Sequence, residues 1–183
     1  MPRAAYVLIG VAWALWVIPF LLHKRHTESP ATVDRRARWG MLPIAVAYTL
    51  VWQGSFWLRS PGIWRIACAV VLFFLASLLS WSAVRALGRQ WRLDAALNPD
   101  HELVRSGPYR IVRHPIYTSM LCTLLGTALA LATPVLLLLP SLLAFAVGTE
   151  VRVRIEEKLL VAQFGENFRD FQRSVGAYIP FLT

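Results

Sequence analysis

Charge is what this chain has least of: only 16% of its 183 residues are Asp, Glu, Lys or Arg, and just 10 of them are acidic against 19 basic. With 57% hydrophobic residues there is too little polar surface to cover a water-soluble fold of this size, so composition favours a multi-span membrane protein. Cysteine is almost absent. Cys68 and Cys122 fall in separate apolar runs, where a thiol serves as a small apolar filler, so neither a disulfide nor a thiol nucleophile is expected. The four histidines, His23, His26, His101 and His114, lack ligand spacing and have no paired cysteines, which leaves no metal site. A dinucleotide-binding glycine fingerprint, internal repeats and low-complexity tracts are also missing.

What is present is a set of long uncharged intervals. Lys, Arg, Asp and Glu are absent from the 20 residues between Arg3 and Lys24, the 20 between Arg38 and Arg59, and the 19 between Arg65 and Arg85. As helices, each reaches across about 30 Å of hydrocarbon. A fourth interval, from Arg113 to Glu150, holds 36 uncharged residues and is broken at Thr133-Pro134, where proline ends a helix. It reads as a hairpin of two short helices of roughly 17 residues each. The first interval exceeds the apolar core of a signal peptide and lacks a small-residue cleavage pattern, so it is expected to remain as a helix. The fold expected is all-α, an integral membrane protein with about five transmembrane helices, the last two a short hairpin, and a cytoplasmic C-terminal helical segment. Residues 1–87 form an N-terminal anchor of three helices, and residues 88–183 form the working half.

Basic residues set the orientation. With the N-terminus outside, 16 of the 19 lie in inside segments and only Arg3, Arg59 and Arg65 lie outside. All ten acidic residues fall inside as well, so the ionisable face is cytoplasmic. The net charge of +9 is spread over three membrane-flanking segments and fits attraction to anionic lipid heads. Nucleic acid is not an expected partner. Trp39, Trp57, Trp64 and Trp91 lie near the predicted borders, as interfacial anchors do.

Two polar constellations flank the hairpin. The first runs from Leu103 to Tyr117 and gathers Gly107, Tyr109, His114, Tyr117 and three arginines beside an apolar segment, a costly arrangement unless it holds something charged. It closes a connection of about 27 residues that also contains a turn at Asn98-Pro99-Asp100. His114 precedes Pro115 and therefore stands at a helix start, where free N–H groups and the helix dipole receive an anion. The second constellation is Glu150 to Glu157, in a helix predicted to stop at Gly165. Arg152 is four residues before Glu156, and Arg154 three before Glu157, so simple ion pairs on a solvated helix are an alternative reading. Beyond Gly165, Phe168, Phe171 and Val175 recur at the spacing of a short interfacial helix.

Taken in order, Leu87-Gly88 with Trp91, His101-Glu-Leu-Val104, Gly107-Pro-Tyr-Arg110, Arg113-His-Pro-x-Tyr117, Arg152 with Glu156-Glu157, Phe164-Gly165 and Ile179-Pro180 resemble the isoprenylcysteine carboxyl methyltransferase family and its relatives among phospholipid methyltransferases. The resemblance covers roughly residues 87 to 181. It implies an enzyme that transfers a methyl group from S-adenosylmethionine, with Gln90, Val104, Gly107, Tyr109, His114 and Tyr117 lining the cofactor pocket and Glu156 or Glu157 completing it. It also implies working roles for Arg152 and Glu157, with Arg154 as a competitor in the same turn. Ser119 stands where the family often has glycine, and Phe168 and Phe171 where it often has tyrosine.

The residue types suit that chemistry. A sulfonium is held by carboxylate and aromatic faces such as Glu157, Tyr109 and Tyr117, and an arginine fork suits an acceptor carboxylate. The acceptor implied carries a lipid tail, with prenylcysteine, another lipophilic acid, a thiol and a phospholipid amine all open. Two rival readings stand beside this one: an NADPH-dependent sterol-type membrane reductase, which needs no Rossmann unit, and a non-catalytic membrane adaptor.

Overall fold

The computed structural model describes residues 3–23, 32–53, 59–92, 96–97 and 102–178. The expected turn at Asn98–Asp100 and the positions of His26, Trp57, His101 and Ile179-Pro180 lie outside them. The described chain is helical: α1 (Arg3–Leu22), α2 (Met41–Val51), α3 (Ile63–Leu87), α4 (Pro115–Ala130), α5 (Val135–Phe164) and α6 (Glu166–Ser174), with 3-10 turns at Arg35–Gly40, Gly88–Gln90 and Gly107–Arg110. Thr32–Val33 pairs antiparallel with Ala96–Leu97.

Three helical segments are long and apolar enough to cross a membrane: Arg3–Leu22, Ile63–Gln90 and Val135–Phe164. The other two expected crossings are shorter. With 16 residues, α4 measures about 24 Å, and α2, with 11, about 17 Å. The chain ahead of α2 is wound as a 3-10 turn rather than an α-helix. Within the hairpin, the second arm is a single helix of 30 residues, because nothing between Val135 and Gly165 stops it. Pro140 removes one internal hydrogen bond without ending the helix. Only the first half of α5 is apolar; from Glu150 onward it carries charge and stands beyond the membrane segment.

The α3 and α5 helices each bury one stripe, and α4 buries a broader face that contains one. Ala69, Phe73, Ala76, Ser80 and Ala83 on α3, and Ser119, Thr123, Gly126 and Ala130 on α4, recur at alternating steps of four and three. The same steps place Ser141, Phe145, Gly148 and Arg152 on one side of α5. Such stripes of small residues are what helices in lipid bury against one another, since packing and interhelical hydrogen bonds replace the hydrophobic drive. Accordingly α3 packs on α4, α1 on α3, and α2 on α5. The opposite faces expose Val11, Leu15, Phe74, Leu78, Leu139 and Leu143, an inside-out pattern suited to acyl chains.

Polar side chains tie the stripes across helices. Trp13 Nε1 donates to Thr127 Oγ1 (3.1 Å), Trp16 Nε1 to Ser119 Oγ (3.0 Å), and Tyr48 OH to the Met120 carbonyl (2.8 Å). Ser141 Oγ donates to the Ala47 carbonyl at 2.8 Å. Ser119, which stands in a frequent glycine position, is thus used in helix packing. Of the tryptophans expected at the interface, Trp39 and Trp64 are exposed, whereas Trp91 is buried and packs near Phe20 at 5.8 Å. The apolar ring finds a partner on α1 that the sequence spacing does not announce.

Two backbone features yield tests. A Cβ at Gly148 would stand 2.5 Å from the Gly40 carbonyl oxygen, so the α5 backbone lies against the turn before α2. Gly148→Ala is expected to cost about 1–3 kcal/mol, read as a lower thermal midpoint in detergent, while Gly10→Ala, with open space around it, costs nothing. Ala132 holds φ of 51° in the α4–α5 turn, so Ala132→Gly is expected to stabilise by about 0.5–1 kcal/mol.

Candidate active site

The polar ends of α4, α5 and α6 converge. Pro115 opens α4 with His114 at its N-cap, as the His-Pro step predicts, and this turns the imidazole back toward α5. On α5, Arg152, Glu156 and Glu157 follow one another at steps of four and one, which puts the first two on one side of the helix. Gly165, with φ of 54°, closes α5, and α6 folds back so that Phe168 and Phe171 bury with Ala83 and Tyr109.

Glu157 is the most heavily engaged group. Its Oε1 accepts from Arg113 Nε at 2.9 Å and lies 3.0 Å from His114 Nε2, while Oε2 accepts from Gln172 Nε2 at 2.7 Å. Arg113 also donates to the carbonyls of Gln172, at 2.8 Å, and of Val175. Burial alone pushes the Glu157 carboxyl up; the hydrogen bonds and charges of His114 and Arg113 outweigh it and hold it down at about 2.

Glu156 belongs to a second, adjoining set. Tyr117 OH donates to its Oε1 at 2.5 Å, and Arg152 Nε donates to the same phenol oxygen at 2.6 Å. The terminal nitrogens of Arg152 make longer bonds, 3.4 Å to Glu156 Oε1 and 3.4 Å to the Ala37 carbonyl. Glu156 Oε2 stands 3.9 Å from His114 Nδ1, so the imidazole lies between two carboxylates. Arg152 is buried, whereas Arg154 is exposed and pairs with Glu150 at 2.7 Å. The competing arginine of that turn therefore faces solvent, and the pairing of Arg154 with Glu157 does not form.

A C-terminal strap is sewn onto the same place. The N–H groups of Arg113 and His114 donate to the carbonyls of Gly176 (2.8 Å) and Ala177 (3.0 Å). Thr118 Oγ1 donates to the Tyr178 carbonyl at 3.1 Å, and Tyr178 OH to Glu150 Oε2 at 3.2 Å. Burial and then the Glu150 charge raise the Tyr178 phenol above its usual range, consistent with a neutral donor. The chain itself takes the two N–H groups just before α4, so an anion at this helix start is left those of Ile116 and Tyr117.

Two hydrogen-bonded sets thus meet at the His114 ring: Glu157 with His114, and Tyr117 with Arg152 and Glu156. Val104 and Tyr109 pack in the apolar cluster beside it, and burial, followed by the charge of Glu156, raises the Tyr109 phenol. Gly107 starts its 3-10 turn at φ of 59°, and Gln90 is half-buried at the end of the turn after α3. Arg113, Gln172 and Tyr178 belong to the site although the sequence reading assigned them no role. Arg113 stood inside a recognisable motif; the other two carry no chemical signal until the strap folds over.

These features define a helical membrane protein with an ionic cluster at one end of its apolar helices. The chain belongs to the phospholipid methyltransferase family, whose model matches residues 64–167, a stretch that contains every site residue from Gln90 to Glu157. It is 29% identical over 128 residues to a protein-S-isoprenylcysteine O-methyltransferase of Tribolium castaneum, covering 67% of this chain and 45% of that one. Similarity to a cobalt-zinc-cadmium resistance protein of Cupriavidus metallidurans is 31% over 143 residues, 67% of this chain and 64% of the relative. To a methanethiol S-methyltransferase of Pseudomonas deceptionensis it is 28% over 172 residues, 84% of this chain and 62% of the relative. The chain spans about half the length of the curated relatives it matches.

Because its carboxyl sits near 2 in the fold and at 4.5 when unperturbed, Glu157 contributes stability that is complete above about 4.5 and is lost as pH falls through about 2. The thermal midpoint in detergent is expected to fall over that window, and Glu157→Gln is expected to flatten the fall while lowering the midpoint at pH 7.

Proposed function

We propose that this chain is an S-adenosylmethionine-dependent membrane methyltransferase acting on the carboxylate of an isoprenylcysteine or a similar lipophilic acceptor. The observation that carries this reading is the cluster of buried Tyr117, His114 and Arg152 around half-buried Glu156 where the apolar helices end. Its residue types fit the donor: a carboxylate and aromatic rings suit a cation, and the start of α4 suits an anion. In this reading Gln90, Val104, Gly107, Tyr109, His114, Tyr117 and Glu156 line the donor pocket. Glu157, with three partners inside the protein, holds His114 and the strap in place, and Glu156 is the carboxylate turned to the sulfonium.

When bound, S-adenosylmethionine supplies an electrophilic methyl on a positively charged sulfur. Glu156 offers the opposing charge, with Tyr117 fixing its direction. Gly107, at positive φ, lets the backbone approach without a side chain intervening. Arg152 is anchored through its short bond to Tyr117, and its guanidinium is the fork offered to an acceptor carboxylate. That carboxylate is already ionised at neutral pH and needs no general base; with the donor bound, the water-poor site would align its oxygen with the donor's methyl group. The acceptor's tail stays in the bilayer between helices while the donor enters from the cytoplasm. The basic-residue split supports this orientation, with five crossings, the N-terminus outside and the C-terminal segment cytoplasmic.

A thiol acceptor is the second reading, favoured by the similarity to a methanethiol S-methyltransferase along most of this chain. A thiol must lose its proton, and His114 is the neighbouring group able to take it.

S-adenosylhomocysteine at a hundredfold excess over its Kd is expected to stabilise the purified protein by about 2.7 kcal/mol, and NADPH is expected to produce no shift. Labelled methyl from S-adenosylmethionine is expected to appear on N-acetyl-S-farnesylcysteine in detergent or lipid. Stabilisation by NADPH alone would favour the reductase, and binding of neither ligand the adaptor.

A further inference from the structure

Helical hydroxyls in this chain mostly donate to a backbone carbonyl, within their own helix or, for Ser141, across to Ala47. Thr49, Ser82, Thr123 and Thr127 each donate to the carbonyl four residues earlier, the usual recourse of Ser and Thr in apolar helices. Thr149, on α5, is 3% exposed, and its Oγ1 is buried without a hydrogen-bond partner. A buried hydroxyl left unmet is costly, all the more beside lipid.

Its place in the helix gives that hydroxyl a purpose. Thr149 lies three residues before Arg152 and seven before Glu156, on the side of α5 that Tyr117 of α4 meets. Phe145, one turn the other way, belongs to the apolar core together with Leu124 of α4. Thr149 therefore marks the boundary at which the ionic cluster gives way to hydrocarbon, about 10 Å along the helix from Glu156. The seam itself is thin: α4 packs broadly on α3 and α5 on α2, while α4 and α5 meet through a few side chains.

We propose that Thr149 Oγ1 binds the polar head of the methyl acceptor, hydrogen-bonding to it at the membrane boundary so that its nucleophilic atom points toward Glu156 and its tail lies along Phe145 and Leu124. This rests on the methyltransferase reading and adds to it the place where the acceptor is held. Thr149 neither bonds the ionic network nor contributes to the donor site, so its loss separates acceptor binding from donor binding.

The test compares Thr149→Val, which keeps the shape and removes the hydroxyl, with Thr149→Ser, which keeps the hydroxyl. Donor-site integrity is read by the thermal shift with S-adenosylhomocysteine, and acceptor binding by titrating N-acetyl-S-farnesylcysteine and octanethiol, alongside KM and kcat for methyl transfer. Thr149→Val is expected to fold with at least wild-type stability, to keep the S-adenosylhomocysteine shift, and to bind its acceptor about tenfold more weakly, with KM raised by a similar factor and Thr149→Ser close to wild type. Equal acceptor affinity in Thr149→Val and wild type overturns the proposal and leaves the methyltransferase reading intact. A wild-type protein that binds neither S-adenosylhomocysteine nor either acceptor overturns both.

Discussion

The carboxylate of Glu157 is the point on which the polar end of the molecule depends. Arg113, His114 and Gln172 reach it from the start of α4 and from α6, so one side chain on α5 joins three distant stretches of sequence. Its partners satisfy both oxygens, as a half-buried charge requires. Arg113 repeats the join by bonding the carbonyls of Gln172 and Val175. The strap that follows is then close enough to take the N–H groups of Arg113 and His114. With His114 held through Nε2, its other nitrogen is directed toward Glu156.

Neighbouring glutamates thereby acquire different work. Glu157 spends its charge inside the protein, and Glu156 Oε2 stands 3.9 Å from His114 Nδ1. The apolar half of α5 and the charged half are parts of one continuous helix, so the distance between membrane core and ionic cluster is set by helical rise rather than by a flexible joint. Gly40 and Gly148 fix the same geometry from the other side, where backbone lies on backbone and Arg152 reaches the Ala37 carbonyl.

Much was legible in the residues themselves. Charge-free intervals located α1, α3 and the α4–α5 hairpin, because crossing hydrocarbon forbids charge; His-Pro placed the start of α4, and Gly165 the end of α5, because these residues constrain the backbone directly. The pairing of Arg152 with Glu156 followed from helical periodicity. Legibility failed where the decision was made between elements. Trp91 turned inward because Phe20 was there to receive it. The α2 helix covers only Met41–Val51 of its uncharged interval, and the chain just before it is a 3-10 turn.

Sequence by itself determined the helical class, the membrane character, the caps and the identity of the charged groups, since each depends on a local composition or a local backbone preference. Only the tertiary structure decided that Arg152 is buried and Arg154 exposed, that Glu156 and Glu157 divide their roles, and that Gln172 and Tyr178 close the site. Those outcomes depend on which faces of α4, α5 and α6 meet, and a contact between residues 15 to 60 positions apart is a property of packing that no local pattern encodes.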